Sequence, residues 1–271
     1  MVKMIELRDV SMGYDHRAVL NNINLSAVPG EMLGLIGPNA SGKSTLLKGI
    51  TRLVNLFSGH IFIDGQDIKT FKREELAHLI ATVPQNAVLP EAFTAFEVVL
   101  MGRTPHLGLF RNESEKDIAI AWQAMEATHT QPLAERRVGE LSGGERQRLF
   151  IARALTQQSR VILLDEPTAH LDINHQAEIL NMVKNLCLEQ RLTVITALHD
   201  LNLAAQYCDW LVMLNGGRVH AEGVPQDVLT AQNIKKAYGA EVCIFPHPVN
   251  SLPTTLITAG ENKEERTYTR R

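Results

Sequence analysis

The sequence predicts an α/β protein, and three observations predict it. Short apolar strands alternate with amphipathic helices along most of the chain, which is the arrangement of βαβ units. One strand, Met32 to Ile36, is apolar without interruption, as a strand buried on both faces of a parallel sheet must be. A glycine-rich turn follows that strand and runs into a helical pattern. The size agrees: 271 residues correspond to one large domain or two small ones at about 150 residues per domain.

The elements follow in order. Met4 to Val10 and Ile23 to Val28 alternate apolar and polar residues like half-buried strands, and Pro29-Gly30 ends the second as a turn. His60 to Ile63 reads as a strand and Asp64-Gly65 as a tight turn. From about Val88 to Leu155 the period becomes helical, with segments Glu97 to Met101, Glu115 to Ala127 and Glu145 to Leu155. That stretch reads as an inserted helical subdomain. Strand, helix, strand then returns: strand Val161 to Leu164, helix Asn174 to Glu189, strand Leu192 to Thr196, helix Leu201 to Tyr207, strand Trp210 to Leu214. Residues 1–240 are expected to form one domain, and 241–271 a short, partly disordered extension whose end, Glu261 to Arg271, frays.

Several function classes are excluded early. With 27 basic and 30 acidic residues and 5% aromatics, the chain is neither a generally basic nucleic-acid binder nor a stacking platform for single strands. No apolar run reaches the roughly 18–20 residues of a membrane span, and the N-terminus lacks a signal-peptide apolar region. Cys187, Cys208 and Cys243 are few, odd in number and without CxxC spacing, so neither a disulfide framework nor a zinc site is expected. A reducing cytosol fits them.

Three motifs carry chemistry. Gly37-Pro38-Asn39-Ala40-Ser41-Gly42-Lys43-Ser44-Thr45 fits GxxxxGK[ST], with a buried strand before it and a helix pattern after. Glycines let backbone N–H groups converge on phosphate oxygens, and a helix N-terminus adds positive potential. Lys43 is placed to reach the β- and γ-phosphates, and the Ser44 hydroxyl to ligand Mg²⁺. The strand Val161 to Leu164 ends in Asp165 and Glu166. Asp165 has the position of a Mg²⁺ ligand. Glu166, at the C-terminal end of a sheet strand, could act on an attacking water as general base. The third motif, Leu141-Ser142-Gly143-Gly144-Glu145 followed by Arg146-Gln147, opens a helix and makes a second anion-binding helix end.

With this third motif the chain resembles the nucleotide-binding subunits of ABC transporters over about residues 3–240. The resemblance implies a P-loop NTPase with a RecA-like core, an N-terminal antiparallel β subdomain and an inserted α-helical subdomain. It also explains two phosphate-binding helix ends in one chain: two subunits pack head to tail, and LSGGE of one closes on the ATP of the other. By the same resemblance Tyr14 stacks on adenine and Gln85 contacts Mg²⁺ or water. Asp172, in Ala169-His170-Leu171-Asp172, lies across the dimer seam, and His199 senses the γ-phosphate. Ala40 departs from the family, which usually has Gly there. A positive φ at that position would cost Ala roughly 1 kcal/mol. His170 and His175 are not separated so as to share one helical face, and no metal pair is expected of them.

Phe93 to His106, with its Gly102-Arg103-Thr104-Pro105-His106, resembles the ATPases of importers for iron–siderophore, haem and cobalamin, as do Glu166 to Asp172 and Leu198 to Ala204. In that subfamily the first stretch docks the permease. The resemblance therefore implies an ATP- and Mg²⁺-dependent ATPase, a homodimer beneath polytopic permease subunits at the cytoplasmic face of the membrane. An extracytoplasmic binding protein delivers the substrate, and no nucleic acid takes part. Two alternatives stay open: an ABC ATPase outside transport, or the ATPase of an importer for another substrate such as an oxyanion. Against the first stand the single cassette and the lack of a heptad run, CxxC pair or basic arm.

Overall fold

The computed structural model describes residues 3–85, 91–107 and 112–258. The chain opens with β1 (Ile5–Tyr14) and β2 (Arg17–Ala27), joined by Asp15 and His16, both at positive φ as a tight hairpin requires. Then come β3 (Met32–Ile36), α1 (Lys43–Ile50), β4 (Asn55–Ile63) and β5 (Gln66–Asp67). A helix, α2 (Arg73–Leu79), runs directly into β6 (Ile80–Val83). Three helices follow, α3 (Ala95–Leu100), α4 (Glu115–Ala127) and α5 (Gly143–Thr156), with a 3₁₀ segment over Met101–His106 after the first. The chain then alternates through β7 (Val161–Asp165), α6 (Ile173–Gln190), β8 (Thr193–Ala197), α7 (Leu201–Tyr207), β9 (Trp210–Asn215) and β10 (Arg218–Gly223). It closes with α8 (Pro225–Val228), α9 (Ala231–Tyr238) and the ribbon β11 (Val242–Pro246) and β12 (Pro253–Ile257).

The strands form two main sheets. An antiparallel one has the order β2-β1-β4-β5 and a mixed one the order β10-β9-β3-β8-β7-β6. In the mixed sheet all neighbours pair parallel except β10. Its strands β3 and β8 are buried along their whole length, as the unbroken apolar run predicts. One apolar core lies between the antiparallel sheet, α1 and one face of the mixed sheet, and includes Met12, Leu20, Leu35, Leu46 and Leu163. A second covers the other face with α5, α6, α7 and α9. Helices α3, α4 and α5 hold a third, around Val98, Met125 and Leu149, and Phe150 and Leu155 of α5 pack on both of the last two. Each large side chain fully buried this way contributes roughly 1.5–3 kcal/mol before entropy is counted.

Helix starts follow local chemistry. Thr94, Ser114 and Ser142 each cap a helix and receive a Glu or Asp three residues on in return, making three capping boxes. These caps move two helix starts from their expected places: α3 begins before Glu97, and α5 begins at Gly143 because both glycines are helical and Ser142 is the cap. Helix α2 and strand β6 lack an expectation from the sequence, since their periods are too short to separate from a loop. The ribbon β11–β12 is tied to α7 by Asn202 and, through its turn residue Asn250, which donates to Gln206 Oε1 at 2.6 Å, by Gln206. Asn202 Oδ1 accepts from the backbone N–H of Thr255 at 2.7 Å and its Nδ2 donates to the Thr255 carbonyl at 3.2 Å. Residues 259–271, including the stretch expected to fray, and the start of the expected helical insertion at 88–90 lie outside the described residues.

Candidate active site

Parallel strands point their C-terminal ends to one edge, and the site assembles there. Strand β3 leads into the loop 37–42, β8 into Leu198 and His199, β7 ends at Asp165 before Glu166, and β6 runs toward Gln85. Since β8 stands between β3 and β7, His199 emerges between the loop and the two carboxylates. A cavity of about 280 Å³ is lined by the loop residues Asn39 to Thr45 together with Val19, Glu166 and His199.

The loop wraps the start of α1. Gly42 sits at φ 107°, and a Cβ there would stand 2.4 Å from Leu20, so only glycine fits. Ala40 has φ 61°, the left-handed conformation in which Ala is strained by roughly 1 kcal/mol. The Lys43 ammonium donates to the carbonyls of Gly37 at 2.8 Å and Pro38 at 3.2 Å. Burial lowers its pKa, while Glu166 and Asp165 act the other way. Ser41 is 3% exposed and its hydroxyl has no protein partner.

The Ser44 hydroxyl donates to Asp165 Oδ1 at 2.9 Å. Burial raises the Asp165 pKa against the opposing Ser44 hydrogen bond. Glu166 adopts φ 54°, which turns it back over the strand end. Its Oε2 accepts from Gln85 Nε2, and its Oε1 meets His199 Nε2. The carboxylate is thus gripped from both sides by groups from two other strand ends.

The structure brings Lys43, Ser44, Gln85, Asp165, Glu166 and His199 together with the loop. It does not bring the remaining sequence-predicted residues to the same place. Tyr14 lies at the end of β1, 44% exposed, and does not line the cavity. Leu141 is buried in the helical core, and Ser142, Gly143, Gly144 and Glu145 form the N-terminus of α5 away from the cavity. Ser142 Oγ accepts the Glu145 N–H at 3.3 Å, and Glu145 Oε2 accepts the Ser142 N–H at 2.8 Å. The Ser142 N–H, followed by its hydroxyl, holds the Glu145 carboxyl below its usual pKa. Asp172 caps α6 beside this turn. Sequence reading missed the contact of His175 with both Asp172 and Gly144. The spacing of three from the cap Asp172 was the available signal.

Fold and site together define a phosphate-loop nucleotide-binding protein with a second helix end suited to anions. The chain belongs to the ABC transporter family, whose sequence profile it matches over residues 20–169. It is 38% identical over 244 residues to the ferric enterobactin transport ATP-binding protein of Escherichia coli, covering 90% of each chain. It is 42% identical over 236 residues to the cobalamin import ATP-binding protein of Halobacterium salinarum. That match takes in 87% of this chain but spans only 59% of the relative's length. A chain of a metal-chelate type ABC transporter, solved in an inward-facing conformation, superposes with a TM-score of 0.84 at 26% identity, covering 96% of this chain and 98% of the other.

Proposed function

We propose that the chain is the ATP-binding and ATP-hydrolysing subunit of an ABC importer that takes up an iron chelate, haem or cobalamin through a separate permease. One observation carries the reading: Gln85 and His199 converge on Glu166 at the strand edge that also holds the phosphate loop. The residues suit MgATP. The unpartnered, buried Ser41 hydroxyl, the Lys43 ammonium and the N-terminus of α1 are donors for phosphate. Ser44 and Asp165 offer a hydroxyl and a half-buried carboxylate in contact, hard oxygens of the type Mg²⁺ takes when phosphates supply further ligands. Among the described residues no cluster of three His, Cys, Asp or Glu forms a cage of its own. The ion, when bound, neutralises charge on the phosphates.

Tyr14 stacks on the adenine in this reading, with its exposed ring free to do so. Lys43 swings from two loop carbonyls to the β- and γ-phosphates. Glu166 takes the proton of the attacking water, with Gln85 and His199 fixing its two oxygens. Leu141 to Glu145 and Asp172 serve the nucleotide of a second copy packed head to tail, which explains why they lie apart from the chain's own cavity. Among the described residues no helix is long and apolar enough to cross a membrane. In this reading a homodimer attaches at the cytoplasmic face through permease subunits, which the 93–106 stretch contacts, and an extracytoplasmic binding protein supplies the substrate. Relatives named for ferric enterobactin and cobalamin support the substrate class.

Two variants and one capture test this. Glu166→Gln should retain ATP binding and lose nearly all turnover, whereas Lys43→Ala should weaken fluorescent-nucleotide binding itself. Turnover near the native rate in Glu166→Gln overturns the base assignment. Capture from detergent-solubilised native membranes should bring a polytopic permease in equal amount; a nucleic-acid partner instead overturns the transport reading.

A further inference from the structure

Two loops assigned above to the nucleotide of a second copy, the 142–145 turn and Asp172, belong to different elements. The turn is the start of α5, and Asp172 is the cap of α6. To act together on one nucleotide they must hold a fixed relation within their own chain. One side chain touches both. His175 Nδ1 lies 2.8 Å from Asp172 Oδ1, and the same oxygen accepts the His175 backbone N–H at 2.9 Å. The edge of the imidazole closes against Gly144: a Cβ there would stand 2.5 Å from Cδ2 and 3.2 Å from Nε2 of the ring. Leu171, next to Asp172, reinforces the contact, since a Cβ on Gly143 would stand 3.5 Å from its Cδ2.

A histidine bonded to a helix cap is ordinary surface chemistry. The contact with Gly144 is not, because it leaves no room for a side chain at that position of a helix turn whose N–H groups are unpaired within the helix. The ring is planar, and its backbone and its bond to Asp172 both sit in the first turn of the 18-residue α6, while Gly144 belongs to α5. We infer that His175 is a positioning residue, holding the Ser142–Gly144 turn and the Asp172 carboxylate in one register so that both meet the nucleotide of a second copy at once. This rests on the function proposed above. Misplacing such donors by 1 Å can cost on the order of 100-fold in rate.

The test compares His175→Ala, His175→Asn and His175→Phe with Ser142→Ala. The asparagine can keep the bond to Asp172, and the phenylalanine keeps the ring against Gly144. Steady-state ATP turnover, fluorescent-nucleotide affinity of the single chain, and ATP-driven dimerisation in a Glu166→Gln background by sedimentation are the readouts. His175→Ala should lower kcat about tenfold or more and abolish the dimer, with nucleotide affinity within about twofold of native; Asn and Phe should each recover part of kcat. A kcat within about twofold of native, or a fall matched by an equal loss of single-chain affinity, overturns the inference. If Ser142→Ala removes turnover while His175→Ala does not, this inference alone fails. If Ser142→Ala is also without effect, the proposed function of the turn fails with it.

Discussion

Arg103 is the buried cation that ties the 101–106 segment to two helices, and its removal should be costly. It is 4% exposed. Its Nε donates to Asp117 Oδ1 at 2.8 Å, and its Nη1 donates at 3.0 Å to both the Thr156 carbonyl and Gln158 Oε1. Arg103→Met fills much of the volume but strands three acceptors, one of them charged. Breaking a buried ion pair from one side costs about 3–5 kcal/mol. Asp117 keeps two donors, the Ser114 N–H at 2.9 Å and hydroxyl at 2.6 Å, so the lower half of that range applies, about 3–4 kcal/mol. For a domain of this size, with about 2.1 cal/mol/K of unfolding entropy per residue, that is a fall in Tm of about 5–7 °C. Differential scanning calorimetry of Arg103→Met, Asp117→Asn and the double variant gives both the cost and the coupling. The double variant should be less destabilised than the sum by more than about 1 kcal/mol. A Tm shift below about 2 °C for Arg103→Met would refute the reasoning, because it would mean the stranded carboxylate is solvated.

The Ser114 hydroxyl and N–H, followed by Arg103, hold the Asp117 carboxyl well below the usual carboxylate range. Its folded pKa lies below the unfolded value, so its contribution is complete above about pH 4 and is lost as pH falls through the folded pKa. Urea midpoints between pH 7 and pH 3 should fall less steeply in Asp117→Asn than in the native chain; parallel curves would exclude the linkage. A Cβ on Gly102 would stand 2.3 Å from the Arg153 carbonyl, so Gly102→Ala should destabilise by about 1–3 kcal/mol, read as a lower urea midpoint. Ala40→Gly removes roughly 1 kcal/mol of left-handed strain but adds about 0.4–1 kcal/mol of unfolded-chain entropy, so Tm should move by less than about 2 °C. Burial pushes the Cys187 thiol up to about 12 and raises Cys208 as well, whereas Cys243 is exposed. A thiol reagent should therefore titrate one cysteine in the native chain and three in denaturant.

The phosphate loop, the 161–166 strand end and the 141–147 turn were legible because their chemistry needs fixed residues at fixed local spacing. Glycine at 42 and the carboxylates at 165 and 166 announce themselves without knowledge of the fold. The family resemblance already set His199 beside Glu166 to activate water, but the hold of Gln85 on the same carboxylate was not legible, since it depends on β6 lying beside β7 in the sheet. Helix α2 was missed because Arg73–Leu79 buries only Leu76 and leaves little periodicity to read. Arg103 reads as an ordinary exposed cation in sequence. Its burial arises where α4, α5 and the 3₁₀ segment meet, 14 to 55 residues apart in the chain.

Asn202 gives the ribbon β11–β12 what a neighbouring strand would give, one acceptor and one donor to the backbone of Thr255. A two-stranded ribbon is marginal by itself in water, so its order is borrowed from the second core, on which Val242 and Ile244 pack, and from α7, the helix that begins two residues after His199. Cys243 faces outward on that ribbon. A spin label or fluorophore on this thiol would thus report, from a distance and without touching the nucleotide, whether the helix behind His199 shifts when ATP is added.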